Sequence, residues 1–152
     1  MKYGVIAIGY NRPNLLTNLL NQLSKADYKN LDVSLIISLD KALNQECDKV
    51  ADSYIWPHGQ KIVVKAKERL GLKKHILQCG NYLNKYELDA VAVFEDDVFP
   101  EVSFFNYMIQ AVDYYKDNDE IAGISLYRPS WNNVADRPFI PMKSKKGGGI
   151  FC

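Results

Sequence analysis

Ala90-Val91-Ala92-Val93-Phe94-Glu95-Asp96-Asp97-Val98 decides the fold. Five apolar residues in a row predict a buried strand, and the carboxylates behind them predict a charged loop at its carboxyl end. Burying an unpaired carboxylate costs several kcal/mol, so Glu95-Asp96-Asp97 calls for water, a cation or donors from a ligand. In an open α/β sheet, the carboxyl ends of the strands are where ligands bind.

Working outward, residues 3–8 and 33–39 read as two further buried strands, and 61–66 as a third, short one. Residues 121–126 read as a strand beyond the acidic loop. Helical patterns lie between them. Pro13 suits the first turn of a helix, where its missing N–H is no loss, and Leu15, Leu16, Leu19, Leu20 and Leu23 then share one face. Cys47, Val50, Ala51 and Tyr54 predict a helix over about 44–53. Leu72, Ile76, Cys79 and Leu83 form another stripe, and Phe104, Phe105, Met108, Val112 and Tyr115 a fourth, with Ser103 placed to cap it. Strands alternating with helices imply an α/β fold, a Rossmann-like and mostly parallel sheet with helices on both faces. The first turn lacks the GxGxxG of a dinucleotide site, and no GxxxxGK[ST] phosphate loop is present.

A chain of 152 residues is long enough for one domain with a substantial core. Its 19 basic and 18 acidic residues leave a net charge of +1, which gives no electrostatic footprint for nucleic acid or an anionic membrane. No stretch approaches the roughly 20 apolar residues of a membrane span. Cys47, Cys79 and Cys152 are odd in number and widely spaced, which reads as reduced thiols in a cytoplasmic protein. The ending Gly147-Gly148-Gly149-Ile150-Phe151-Cys152 reads as the start of something longer.

Polar residues gather where the strand patterns stop: Asn11-Arg12 after the first, Ser38 and Asp40 at the second, Glu95-Asp96-Asp97 at the fourth. In a parallel sheet these share one edge. Side-chain alternation should send Asp96 and Asp97 in different directions. Hard divalent cations favour carboxylate oxygens and keep positions open for phosphate. Arg12 could offer a planar fork to a phosphate or a base.

This pattern resembles the GT-A glycosyltransferases, and among them the N-acetylglucosaminyltransferase I-like family. Shared features are the EDD triplet at 95–97 with Val98, Pro100 and the Phe104-Phe105 pair after it, the Asn11-Arg12 turn, Ser38-Leu39-Asp40, and His75 in the helix before the acidic strand. The likeness covers about residues 2–127. It implies a nucleotide-sugar-binding region over 1–127, with 128–152 a loop leading toward an absent acceptor-binding half. It also implies a UDP-sugar donor, a glycan or other hydroxyl acceptor, and Mn²⁺ (or Mg²⁺) held by Asp97. Asp40 would meet the uracil or ribose, and Arg12 would line the nucleotide pocket. Asp96 would contact the ribose or sugar, and Glu95 would support the site. His75, with Arg69 or Lys74, would lie near the nucleotide. Transfer would be inverting, with its catalytic base in the half that is absent.

Two other classes compete. The chain could be a catalytically incomplete sugar-nucleotide-binding module, since fold does not fix function. A nucleotidyltransferase would also use acidic metal ligands on such a sheet, but it usually carries a Gly-rich basic loop after the first strand. Gly9-Tyr10-Asn11-Arg12-Pro13 is short and holds one basic residue.

Overall fold

The computed structural model describes residues 1–118 and 120–125 (Ala122 by its backbone alone), together with the backbone of 141–143 and 150–151. Strands β1 (Tyr3–Gly9), β2 (Val33–Leu39), β3 (Lys61–Lys65) and β4 (Ala90–Glu95) alternate with helices α1 (Pro13–Ser24), α2 (Glu46–Ser53), α3 (Leu72–Lys85) and α4 (Phe104–Tyr115). Three short strands follow: β5 (Ile121–Ile124), β6 (Pro141–Lys143) and β7 (Ile150–Phe151).

The main sheet has the order β3-β2-β1-β4-β7, and each neighbouring pair is parallel. Every residue of β1 is buried, as expected of a central strand covered on both sides. Alternation along the strands divides the core in two. Val5, Ala7, Leu35, Ile37, Ala92 and Phe94 face α1, α2 and α4. Ile6, Ile8, Ile36, Val91 and Val93 face α3. Leu16, Leu19, Leu20 and Leu23 of α1 are fully covered. Each such side chain contributes about 1.5–3 kcal/mol on burial. The sheet is thus the expected Rossmann-like α/β layer with helices on both faces.

The chain runs from β1 outward through β2 to β3, then returns through α3 to place β4 on the other side of β1. The order therefore reverses between β1 and β4, and a crevice opens at their carboxyl ends.

Three expectations are corrected. The strand over 121–126 was expected in the parallel sheet; β5 instead pairs antiparallel with β6 in a separate two-stranded sheet. The fifth place in the main sheet belongs to β7. Ser103 stands at the N-cap of α4 but in helical backbone conformation, and its side chain makes no capping bond. Leu72 is not core: it starts α3 and stays exposed, while His75, Cys79, Tyr82 and Leu83 form the buried stripe. Cys47 and Cys79 are buried as expected, and burial pushes the Cys47 thiol pKa up. Cys152 and residues 129–133 lie outside the described residues.

Candidate functional site

The register brings the three functional strand ends level: Gly9 pairs with Leu39, and Ile8 with Glu95. A cavity of about 360 Å³ opens at this edge, bordered by Arg12, Asp40, Arg69, His75, Glu95 and Asp96. The structure therefore gathers the sequence-predicted residues around one space, with Asp97 just outside its lining.

Asp40 is 5% exposed and its carboxylate is saturated. Oδ1 accepts the backbone N–H groups of Lys41 at 2.8 Å and Leu70 at 2.7 Å, and Oδ2 accepts that of Gly71 at 2.9 Å. Arg69 Nε adds an ion pair at 3.0 Å. Burial opposes the charged form, but these N–H groups outweigh it and hold the Asp40 pKa below the usual range. Gly71, at φ +74°, is the residue that turns the chain into α3, so Asp40 fixes where that helix begins. Asp40 thus builds the wall of the cavity, and its oxygens are already engaged by the protein. Arg69 lies with its guanidinium 3.5 Å from the centre of the Tyr10 ring, a cation–π contact.

Arg12 closes the opposite side. It leaves β1 immediately before Pro13 and forks onto Asp96, with Nε 3.2 Å from Oδ2 and Nη2 bonded to Oδ1. Its Nη1 also donates to Asp97 Oδ2 at 3.1 Å. The Asp96 bond raises the guanidinium pKa further. Burial pushes the Asp96 carboxyl up, and Arg12 opposes that shift. The expected divergence of Asp96 and Asp97 appears as burial: Asp96 is 3% exposed and Asp97 is exposed, yet Arg12 reaches both. The fork expected for a ligand is taken by the protein's own carboxylates.

Glu95, the last residue of β4, is half-buried and borders both this cavity and a larger, mainly apolar one of about 530 Å³ under Val98, Phe99 and Pro100. His75 is buried, and its Nε2 lies 2.7 Å from Ser38 Oγ. Burial lowers the His75 pKa, favouring the neutral ring, and the nearby Asp40 opposes this. Lys74 is exposed on α3 and does not border the cavity.

No group of three or more His, Cys, Asp or Glu side chains converges on a common point among the described residues. Asp97 leaves Oδ1 outside its Arg12 contact. One exposed carboxylate suits a hard cation that arrives with a diphosphate and keeps its remaining positions for phosphate and water. Asp97 is the carboxylate of the triplet that is exposed and has an oxygen outside the Arg12 contact.

Sequence reasoning missed Tyr10 as the platform under Arg69, and Tyr82, whose hydroxyl is 3.0 Å from Ser38 Oγ. A signal for Tyr82 existed: it lies seven residues after His75, on the same helical face. It also missed the clasp of residues 69–71 on Asp40.

The chain matches no family model and no curated protein. Solved structures do match. S. aureus TarS 1–349 in complex with UDP-GlcNAc superposes with a TM-score of 0.62 at 18% identity, covering 88% of this chain and 37% of that one. The same protein in complex with UDP gives 0.63 at 18% identity, over 88% and 38%. The mannosyltransferase PcManGT from Pyrobaculum calidifontis, in complex with GDP-Man and Mn²⁺, gives 0.60 at 17% identity, over 84% and 36%. At such identities the likeness shows the fold. The chain spans well under half the length of these structures. No helix among the described residues is long and apolar enough to cross a membrane.

Proposed function

We propose that this chain is the donor-binding portion of a metal-dependent GT-A glycosyltransferase, of the N-acetylglucosaminyltransferase I-like kind. It takes a UDP-sugar and serves inverting transfer to an acceptor hydroxyl. The observation that carries this reading is the gathering of Arg12, Asp40, His75 and Asp96 around one cavity at the β1/β4 switch point, with Asp97 beside it. The matched folds solved with UDP, with UDP-GlcNAc and with GDP-Man and Mn²⁺ support it.

In this assignment His75 faces the nucleoside beside the wall that Asp40 builds, Asp96 the ribose or sugar, and Asp97 the cation, with Glu95 in support. A bound divalent cation supplies Lewis-acid neutralisation of the departing diphosphate. The chain's own residues bind and orient the donor: Asp40 fixes the loop that carries Arg69, and Arg12 holds the acidic loop in place. The catalytic base lies outside this assignment.

The test is thermal unfolding with UDP, with and without Mn²⁺, on the native chain and on Asp97→Ala. A ligand at 100 times its Kd adds about 2.7 kcal/mol, which is a rise of about 5–10 °C for a domain of this size. The expected result is a Mn²⁺-dependent rise that Asp97→Ala abolishes. No rise in a folded native chain overturns the proposal. A second reading, a sugar-nucleotide-binding module without transfer, is favoured by one observation: Arg12 already engages both Asp96 and Asp97. UDP binding without donor hydrolysis would select it.

A further inference from the structure

Behind the cavity runs a buried hydrogen-bonded chain that the donor-site assignment leaves unused. Tyr82 Oη lies 3.0 Å from Ser38 Oγ, and Ser38 Oγ lies 2.7 Å from His75 Nε2. Tyr82, Ser38 and His75 are 2%, 1% and 2% exposed. The direction of donation decides which ring nitrogen carries the proton. The Tyr82 hydroxyl has one hydrogen, and among the described residues Ser38 Oγ is its partner. If Tyr82 donates to Ser38, the Ser38 hydrogen is available to His75 Nε2, and every donor in the chain is satisfied. In the reverse direction, the Tyr82 hydrogen is left buried without an acceptor. Leaving a buried donor unmade costs more than a made bond returns, so donation runs from Tyr82 through Ser38 to Nε2. The ring proton then sits on Nδ1.

Enclosed side-chain nitrogens and oxygens among the described residues all have partners. Nδ1 of His75 makes no hydrogen bond to a described group, so it reaches open space, and the open space that His75 borders is the cavity. We propose that Ser38, which also accepts from Tyr82, is the positioning residue that holds His75 as its Nδ1–H tautomer, presenting a fixed N–H donor to an acceptor oxygen of the ligand in the cavity. Burial favours the neutral ring, in which a single nitrogen carries the proton. The acceptor is a ring carbonyl or a phosphoryl oxygen. The ligand half rests on the donor-site proposal above; the tautomer half does not.

The test is nitrogen NMR on the full chain labelled with ¹⁵N-histidine. It has only His58 and His75, and His58→Gln assigns the two. The native chain should show His75 protonated on Nδ1 and bare on Nε2. Ser38→Ala removes the hydroxyl donor to Nε2 and should let the Nε2–H tautomer appear and weaken UDP binding about two- to tenfold, whereas Tyr82→Phe leaves Nε2 as the acceptor for the Ser38 hydrogen and should keep the Nδ1–H tautomer. A proton on Nε2 in the native chain overturns the proposal, and this measurement stands even if a variant fails to fold. A folded Ser38→Ala with an unchanged tautomer also overturns it, as does a folded Tyr82→Phe that carries the proton on Nε2. Uridine and inorganic pyrophosphate separate the two acceptors: whichever moves the Nδ1–H signal supplies the oxygen, and silence from both overturns the ligand half. If UDP itself does not bind, the donor-site proposal and the ligand half fall together, while the spectrum alone decides the tautomer.

Discussion

Replacing Asp40 by Asn keeps its shape but removes its charge and half of its accepting capacity. In the native protein the carboxylate receives three backbone N–H groups, from Lys41, Leu70 and Gly71, and the Arg69 guanidinium. The Asn amide can still accept at one oxygen, but its NH₂ must then face at least one of these N–H groups. Bonds to a charged acceptor are worth about 1.5–3 kcal/mol each when well made. Leu70 and Gly71 are only half-buried, so water replaces part of the loss. A net destabilisation of about 2–3 kcal/mol at pH 7 follows, equivalent to a fall in Tm of roughly 5–10 °C. Urea unfolding should show a lower midpoint with an unchanged slope. The pH dependence supplies the sign. Asp40 has a depressed folded pKa, so its stabilisation is present above the unfolded carboxylate value, about 3.9, and is lost as pH falls through the folded one. The gap between native and Asp40→Asn should therefore hold from pH 7 to about 5 and shrink below about 4. A variant within about 0.5 kcal/mol of native at pH 7, the size of an ordinary surface change, would refute the clasp. So would a gap that widens in acid.

Arg12→Ala leaves the buried Asp96 without its fork, and should cost about 1–3 kcal/mol at pH 7. Asp96 has a raised folded pKa, so the cost should fade as the carboxyl protonates in acid, and adding Asp96→Asn should recover much of it. Paired urea curves at neutral and acid pH check both points. Phe105 is fully buried against Tyr3, Tyr28 and Phe104, and Phe105→Ala should cost about 3–5 kcal/mol in the same assay.

What the sequence made legible follows the range of the physics. β2 and the start of α1 at Pro13 were readable because apolar runs and proline act locally. The convergence of Arg12, Asp40 and Asp96 was readable because a parallel sheet puts its strand ends together. The partners of those residues were not. Arg12 meets Asp96 across 84 positions, and Leu70 meets Asp40 across 30, and no local pattern encodes such pairings. His75 was singled out as a ligand candidate while Leu72 was placed on the apolar stripe of its helix. The structure buries His75 and exposes Leu72, since a polar side chain can be buried once a partner such as Ser38 is at hand. The β5 misassignment has the same origin: strand character was evident, but its partner was not.

The charge at this edge bears on the proposed cation through electrostatics as well as resemblance. Asp40, Glu95, Asp96 and Asp97 place four carboxylates around the cavity edge, and their ion-pair partners among the described residues are the guanidiniums of Arg12 and Arg69. Among these groups two carboxylates are left over, and in the proposed site they would oppose a diphosphate that arrives without a cation. A divalent cation on Asp97 would reverse that balance. Asp97→Asn removes one of the excess charges without touching the buried Asp96. Two unit charges 4 Å apart interact by about 1 kcal/mol in water, so UDP binding without metal should tighten about threefold to tenfold in this variant. The gain from Mn²⁺ should fall away at the same time. Calorimetric titration of UDP into both proteins, with and without Mn²⁺, separates the two effects. If metal-free binding instead weakens in Asp97→Asn, the carboxylate contacts the nucleotide directly, and its assignment to the cation is wrong.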